Sequence, residues 1–194
     1  MLEWLNDIDQ QLFLLLNSWH NSFFDQVMLA VSGKLTWLPL YLLLIYGFVT
    51  KYRWQAVYVL LGIGLAITFA DQFTSGFMKP FFERLRPCRE PALEGLVHLV
   101  GSCNSKYGFA SSHAANSVAI AVFSWLILRR HWRYTWLLLL WAGLVAFSRV
   151  YLGVHYPGDI ITGAAVGALT GWGLARACKA LIQHAPIQGK KKPQ

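Results

Sequence analysis

The chain has 194 residues, 56% hydrophobic and 13% charged, with a formal net charge of +8. A typical soluble domain carries about 25% charged residues, so this composition and a mean hydropathy of +0.42 argue against a water-soluble fold and for lipid as the solvent. The basic residues stand in short clusters between apolar runs, which fits the membrane orientation rule rather than nucleic-acid binding.

The N-terminus does not read as a cleavable signal: Met1 to Asn6 has no basic stretch, and Glu3, Asp7 and Asp9 come early. The segment Ile8 to Ser32 is apolar but broken by Asn17-Ser18-Trp19-His20-Asn21-Ser22. Two short amphipathic helices on the membrane surface fit it better than one span, so residues 1–34 are expected to form an interfacial segment. A transmembrane core follows over 35–182. Leu35 to Thr50 is a short first span. Trp54 to Met78, Ser112 to Leu128, Tyr134 to Leu152 and Pro157 to Ala177 are each about long enough for a hydrocarbon core that takes about 20 helical residues. Helices are expected throughout, since an open sheet would leave backbone groups unpaired in lipid. The expected fold is an all-α integral membrane bundle of about five to six transmembrane helices with an amphipathic N-terminal segment, closed by a basic cytoplasmic tail over 183–194.

Lys51 and Arg53, then Arg129, Arg130 and Arg133, then Arg176, Lys179 and Lys190 to Lys192 all fall at span ends on one side, which is expected to be cytoplasmic. The opposite side also carries cations: Lys79, Arg84, Arg86, Arg89, Lys106 and Arg149. A bound anion would explain this departure from the rule. Alternating spans bring Lys79, Ser111-Ser112-His113, Ser148-Arg149 and His155 to that same face, with Pro157 at a favoured first helical position. Cations and helix N-termini suit phosphate oxygens. Two histidines allow one to attack and one to protonate the leaving oxygen. Asp159, four residues after His155, can fix its tautomer.

The stretch Lys79-Pro80-Phe81-Phe82-Glu83-Arg84-Leu85-Arg86-Pro87 resembles the K-x6-R-P signature of the type 2 phosphatidic acid phosphatase family. Ala110-Ser111-Ser112-His113 is similar to that family's P-S-G-H, and Ser148-Arg149 with His155 and Asp159 matches its S-R-x5-H-x3-D. The resemblance spans about residues 55 to 175. It implies a metal-independent, cofactor-free phosphatase in which His155 is the nucleophile that forms a phosphohistidine, Asp159 orients it and His113 is the general acid. Lys79, Arg86, Ser111, Ser112 and Arg149 would hold the phosphate, with Ser148 in support. Ala110 and Ser112 depart from the family's proline and glycine; backbone N–H donation survives both changes, but glycine's conformational freedom does not.

Other residues read more plainly. His20, His98, His131 and His184 are polar interface residues, and the tryptophans form an interfacial belt. Arg84, Arg89 and Lys106 anchor headgroups, unless Arg84 and Arg89 grip a second phosphate. Asp71 lies about 12 Å deeper than Lys79 by helical rise and is expected in a structural hydrogen bond. Cys88 and Cys103 share the outer loop, where a bridge would be worth about 3 kcal/mol; Cys178 is expected to stay reduced.

A soluble vanadate-dependent haloperoxidase shares the motif residues but not the spans, and a lipid carrier would not need His155 and Asp159 in register. The expected partners are membrane lipids and a lipid-linked phosphate, at the periplasmic face of a bacterial inner membrane. Undecaprenyl diphosphate is the first expectation, because Arg84 and Arg89 flank the motif. Phosphatidylglycerol phosphate, phosphatidic acid and lipid A 1-phosphate are the alternatives.

Overall fold

The computed structural model describes residues 3–184, and all regular structure among them is helical. The chain opens with α1 (Glu3–Asn17) and α2 (Ser22–Ser32), which part at residues 18–21. Asn21 makes the break productive: its side chain accepts from the Phe24 N–H at 2.9 Å and caps α2. Asn17, fully buried, closes α1. Its amide donates to the backbone oxygens of His98 (3.0 Å) and Tyr151 (2.8 Å) and accepts from the His98 N–H (2.8 Å). The N-terminal segment is thereby fastened to the outer end of the bundle.

A single 3-10 turn, Leu35–Trp37, leads into α3 (Leu38–Tyr52), and Arg53, with φ of 52°, stops that helix. α4 (Ala56–Asp71) returns across the bundle, continues through a π-helical stretch at Gln72–Met78, and ends in the short α5 (Lys79–Phe82). The helical path therefore runs past the expected Met78. Such widened turns recur at functional sites; this one carries Thr74 and Ser75, which both meet Ser112 of the next helix. An outer loop over 83–111 then covers the end of the bundle. It is pinned by the pairing of Leu85 with Tyr107 and by the Cys88–Cys103 disulfide, so the expected bridge is present and Cys178 is the free cysteine, buried.

The remaining helices are α6 (Ser112–Leu128), α7 (Leu137–Tyr151) and α8 (Pro157–His184). α8 takes in residues 183 and 184, which were expected in the tail; the Lys190–Lys192 run lies outside the described residues. α6 is the central helix, packed against α4, α7 and α8. Its contact with α8 is backbone to backbone. A Cβ added at Gly163, Gly167 or Gly171 would stand 2.4, 2.1 or 2.7 Å from the carbonyl oxygens of Ser111, Ala115 and Ala119. Small residues at four-residue spacing permit this approach, as in membrane helix pairs.

The outward faces are apolar. Leu42, Leu43 and Tyr46 on α3, Leu61, Leu65 and Phe69 on α4, and Leu169 and Trp172 on α8 are all exposed. A water-soluble surface does not sustain so much exposed apolar area, whereas lipid tails match it. The run Leu35–Phe82 is long and apolar enough to cross a membrane, while α6 and α7 are shorter apolar helices of 17 and 15 residues.

Candidate active site

The site forms where the ends of α4–α5, α6, α7 and α8 meet under the outer loop. Lys79, Arg86, Ser112, His113, Arg149 and His155 line one cavity of about 580 Å³. Sequence spacing placed these residues at one face, and the structure brings them together.

Each is held by a local reason. The Lys79 ammonium donates to Ser112 Oγ at 3.0 Å, and Ser75 Oγ lies 2.6 Å from the same oxygen. Arg86 sits in the pinned part of the loop, where its Nε donates to Tyr107 O at 3.2 Å and its backbone N–H to Lys106 O at 3.2 Å. Arg149 donates to Ser32 Oγ at the end of α2. Its Nε is buried and has no acceptor among the described residues; a phosphate oxygen would supply one. The Arg149 carbonyl accepts from the N–H groups of Val154 and His155, both at 3.2 Å, and so shapes the tight turn into α8.

His155 and Asp159 are buried in that turn. His155 Nδ1 lies 3.2 Å from Asp159 Oδ2, which also accepts from the Tyr156 N–H at 3.0 Å. With the Nδ1 proton shared to the carboxylate, Nε2 is the ring nitrogen left with a lone pair. Burial lowers the His155 pKa to about 4, against the opposing pull of Asp159. The imidazole is therefore neutral at physiological pH, the form a nucleophile needs. Gly108 crosses directly above: a Cβ there would be 3.0 Å from Asp159 Oδ2 and 3.6 Å from His155 Nδ1. A larger residue there would press on the pair, which would have to give by a few tenths of an ångström.

Two sequence expectations need correction. Ser111 does not reach the cavity. It is fully buried, its hydroxyl caps α6 by accepting from the Ala114 N–H at 3.5 Å, and its backbone N–H is spent on Asp159 O at 3.0 Å. Arg84 and Arg89, expected to flank a second phosphate, do not line the cavity. Arg84 Nη1 is bound to Asp159 Oδ1 (2.9 Å) and Asp9 Oδ2 (2.8 Å), its Nη2 to Asn6 Oδ1 (2.9 Å), and its guanidinium stacks on Tyr156. Arg89 donates to Cys103 O at 2.8 Å. Ser148 bonds within its own helix, to Val145 O at 2.7 Å, in keeping with a supporting place. Asp71 accepts from Asn116 Nδ2 at 3.0 Å, the structural bond expected of it.

The sequence reading missed Arg84 as the second holder of Asp159. It missed Asp9 and Asn6, which reach the site from α1, and Gly108. It also missed Lys34, which adds a cation to the cavity from the α2–α3 link. The contacts of α1, some 150 residues from Asp159, left no local signal. A smaller opening of about 290 Å³, lined in part by Ser102, Asn104, His113 and Arg149, leads out beneath the disulfide loop.

Comparison with known proteins gives the family and the fold. The model of the PAP2 superfamily matches residues 55–182. A lipid A 4'-phosphatase of Bacteroides thetaiotaomicron is 39% identical over 98% of this chain and 87% of its own length. One from Porphyromonas gingivalis is 36% identical over 88% of this chain and 72% of its own. The crystal structure of a transmembrane PAP2-type phosphatidylglycerolphosphate phosphatase from Bacillus subtilis superposes with a TM-score of 0.66 at 22% identity, covering 95% of this chain and 89% of that one.

Proposed function

Since this chain belongs to the PAP2 superfamily and is a lipid phosphatase of the membrane, we propose that it removes a single phosphate from the sugar headgroup of a lipid A-type glycolipid. In this reading His155 Nε2 attacks phosphorus, the bond to the sugar oxygen breaks, and His113 gives that oxygen its proton. Water then attacks the phosphohistidine, returns a proton to His113 and releases inorganic phosphate. Lys79, Arg86 and Arg149 neutralise the three equatorial oxygens, whose charge is the main thing a phosphoryl-transfer site must stabilise. Ser112 aligns Lys79, and Asp159 holds the His155 ring. Ser111 contributes through the helix cap.

The observation that carries the monoester reading is that Arg84 is spent on Asp159, Asp9 and Asn6, and that neither Arg84 nor Arg89 lines the cavity. The two cations expected to flank a diphosphate stand away from it. The lipid A 4'-phosphatase relatives, matched along most of the chain, support the same substrate. A second reading, undecaprenyl diphosphate, has Lys34 in its favour, as a cation on the same cavity that could take a distal phosphate.

The site would work at the periplasmic face of an inner membrane. The Cys88–Cys103 bridge lies on the same side as the site and calls for an oxidising compartment, while the Arg129–Arg133 cluster lies at the other end of the bundle. Phosphate release by the purified protein, compared across lipid A, undecaprenyl diphosphate, phosphatidylglycerol phosphate and phosphatidic acid, tests the reading. Lipid A should give the highest kcat/KM, and an equal or higher value for undecaprenyl diphosphate would overturn it.

A further inference from the structure

The cavity does not end at the phosphate residues. It continues between α3, α4, α6 and α7 past Ile67 and Ile120 to Leu60 and Phe48, a slot with the apolar walls an acyl chain requires. Two polar rungs cross from the α4 side to α6. The upper one joins Ser75 to Ser112 at 2.6 Å and carries Lys79. The lower one joins Asp71 to Asn116 at 3.0 Å. Asp71 precedes Ser75 by four residues and Asn116 follows Ser112 by four, so the lower rung lies about one helical turn, roughly 6 Å, deeper.

A structural bond explains only half of this lower rung. Asp71 and Asn116 both line the slot. Asn116 Oδ1 is buried and accepts no hydrogen bond among the described residues. On the α7 wall of the same slot, Trp141 Nε1 is buried and donates none. An acceptor and a donor left unsatisfied inside an apolar slot carry a desolvation cost that a bound polar group would relieve.

We propose that Asn116 and Trp141 form a chain-recognition subsite for a lipid whose acyl chain bears a hydroxyl group a few bonds from the phosphate-bearing headgroup. A hydroxyl can donate to Asn116 Oδ1 or accept from Trp141 Nε1. An unsubstituted acyl or isoprenoid chain can do neither, and leaves both atoms unsatisfied. Asp71 positions the Asn116 amide by accepting from Nδ2, which turns Oδ1 away from α4. The inference deepens the acylated-glycolipid reading and rests on it.

The test uses two synthetic phosphoglucosamine lipids of equal chain length, one with a 3-hydroxyacyl chain and one with the plain acyl chain. Phosphate release and thermal stabilisation are both measured with the full-length protein in detergent. Wild type should favour the hydroxylated lipid by about tenfold in kcat/KM. The ratio should fall close to one in Asn116→Leu, and fall clearly in Trp141→Phe, which keeps an aromatic ring and removes the N–H. Equal kcat/KM for the two lipids in wild type would overturn the subsite. So would an unchanged ratio in both variants, including equal loss on both lipids, which would mean a structural bond only. Stronger stabilisation by the hydroxylated lipid without phosphate release from either would refute the substrate reading and leave the subsite standing.

Discussion

Arg84 binds the Asp159 carboxylate at 2.9 Å on the oxygen that His155 leaves free. The carboxylate partner of His155 is thus fixed from two sides, and the second side depends on Asp9, which holds the same Arg84 nitrogen at 2.8 Å. A hydrogen bond to a charged group is worth about 1.5–3 kcal/mol. Removing this one by Arg84→Ala should lower kcat by about ten- to a hundredfold, although Arg84 touches no substrate. Arg84→Lys restores charge without the fork and should recover part of the loss. Wild-type turnover in Arg84→Ala would show that His155 needs no such support.

His155→Ala should abolish turnover, since it removes the proposed nucleophile. Asp159→Asn should cut kcat by orders of magnitude through loss of tautomer control. The pH profile gives a sharper check. In the proposed mechanism the neutral imidazole attacks, so kcat/KM should rise through about pH 4, where burial places the His155 pKa, and fall again at higher pH as His113 loses the proton it has to give. Asp159 raises that pKa, so Asp159→Asn should move the residual acid limb to lower pH. A shift to higher pH would contradict the assignment of Asp159 as the ring's partner.

Lys79, Arg86 and Arg149, converging on one cavity, should also bind vanadate, which can adopt the five-coordinate geometry of the transition state. Inhibition by vanadate and full activity in EDTA are the expected results. Activity lost in EDTA and regained with Mg²⁺ or Zn²⁺ would point to a different mechanism.

The Cys88–Cys103 bridge closes a separation of 15 residues, so its loss should cost about 3 kcal/mol of stability. Thiol labelling of the unreduced, denatured protein should find Cys178 alone. Three reactive thiols would exclude the bridge in the native protein.

At the α6–α8 contact, Gly167→Ala would put a methyl group 2.1 Å from the Ala115 carbonyl. Overpacking of this kind costs about 1–3 kcal/mol, and the detergent-solubilised protein should melt earlier. Gly173→Ala, where nothing lies within 4 Å, is the control and should leave the melting temperature nearly unchanged. Equal effects of the two would mean that the helices do not pack through this stripe.

The extent to which the sequence announced this architecture follows from the range of each interaction. Spans were legible because lipid demands apolar length, and α6, α7 and α8 start within three residues of the expected positions. The cavity residues were legible because each motif fixes a spacing on one helix end. What could not be read was who else would answer those motifs. Asp159 carries a recognisable i,i+4 relation to His155, but its bond to Arg84 joins the outer loop to α8, and Arg84's bond to Asp9 brings in α1. Ser111 was misplaced for a related reason. Its position at a helix start suits phosphate binding equally well, and only the close approach of α8 shows that its N–H is already committed.

The glycine stripe has one more consequence. α6 carries His113, and α8 begins two residues after His155, so the two histidines are mounted on backbones that touch. That jaw of the cavity has almost no freedom to adapt. The facing jaw is built differently: α3 contributes Tyr41, Leu44 and Phe48 to the slot, and meets its neighbours through large side chains such as Trp132. Altering those side chains would reshape the slot without moving the two histidines. A change of diet in such a protein need not pass through an inactive intermediate.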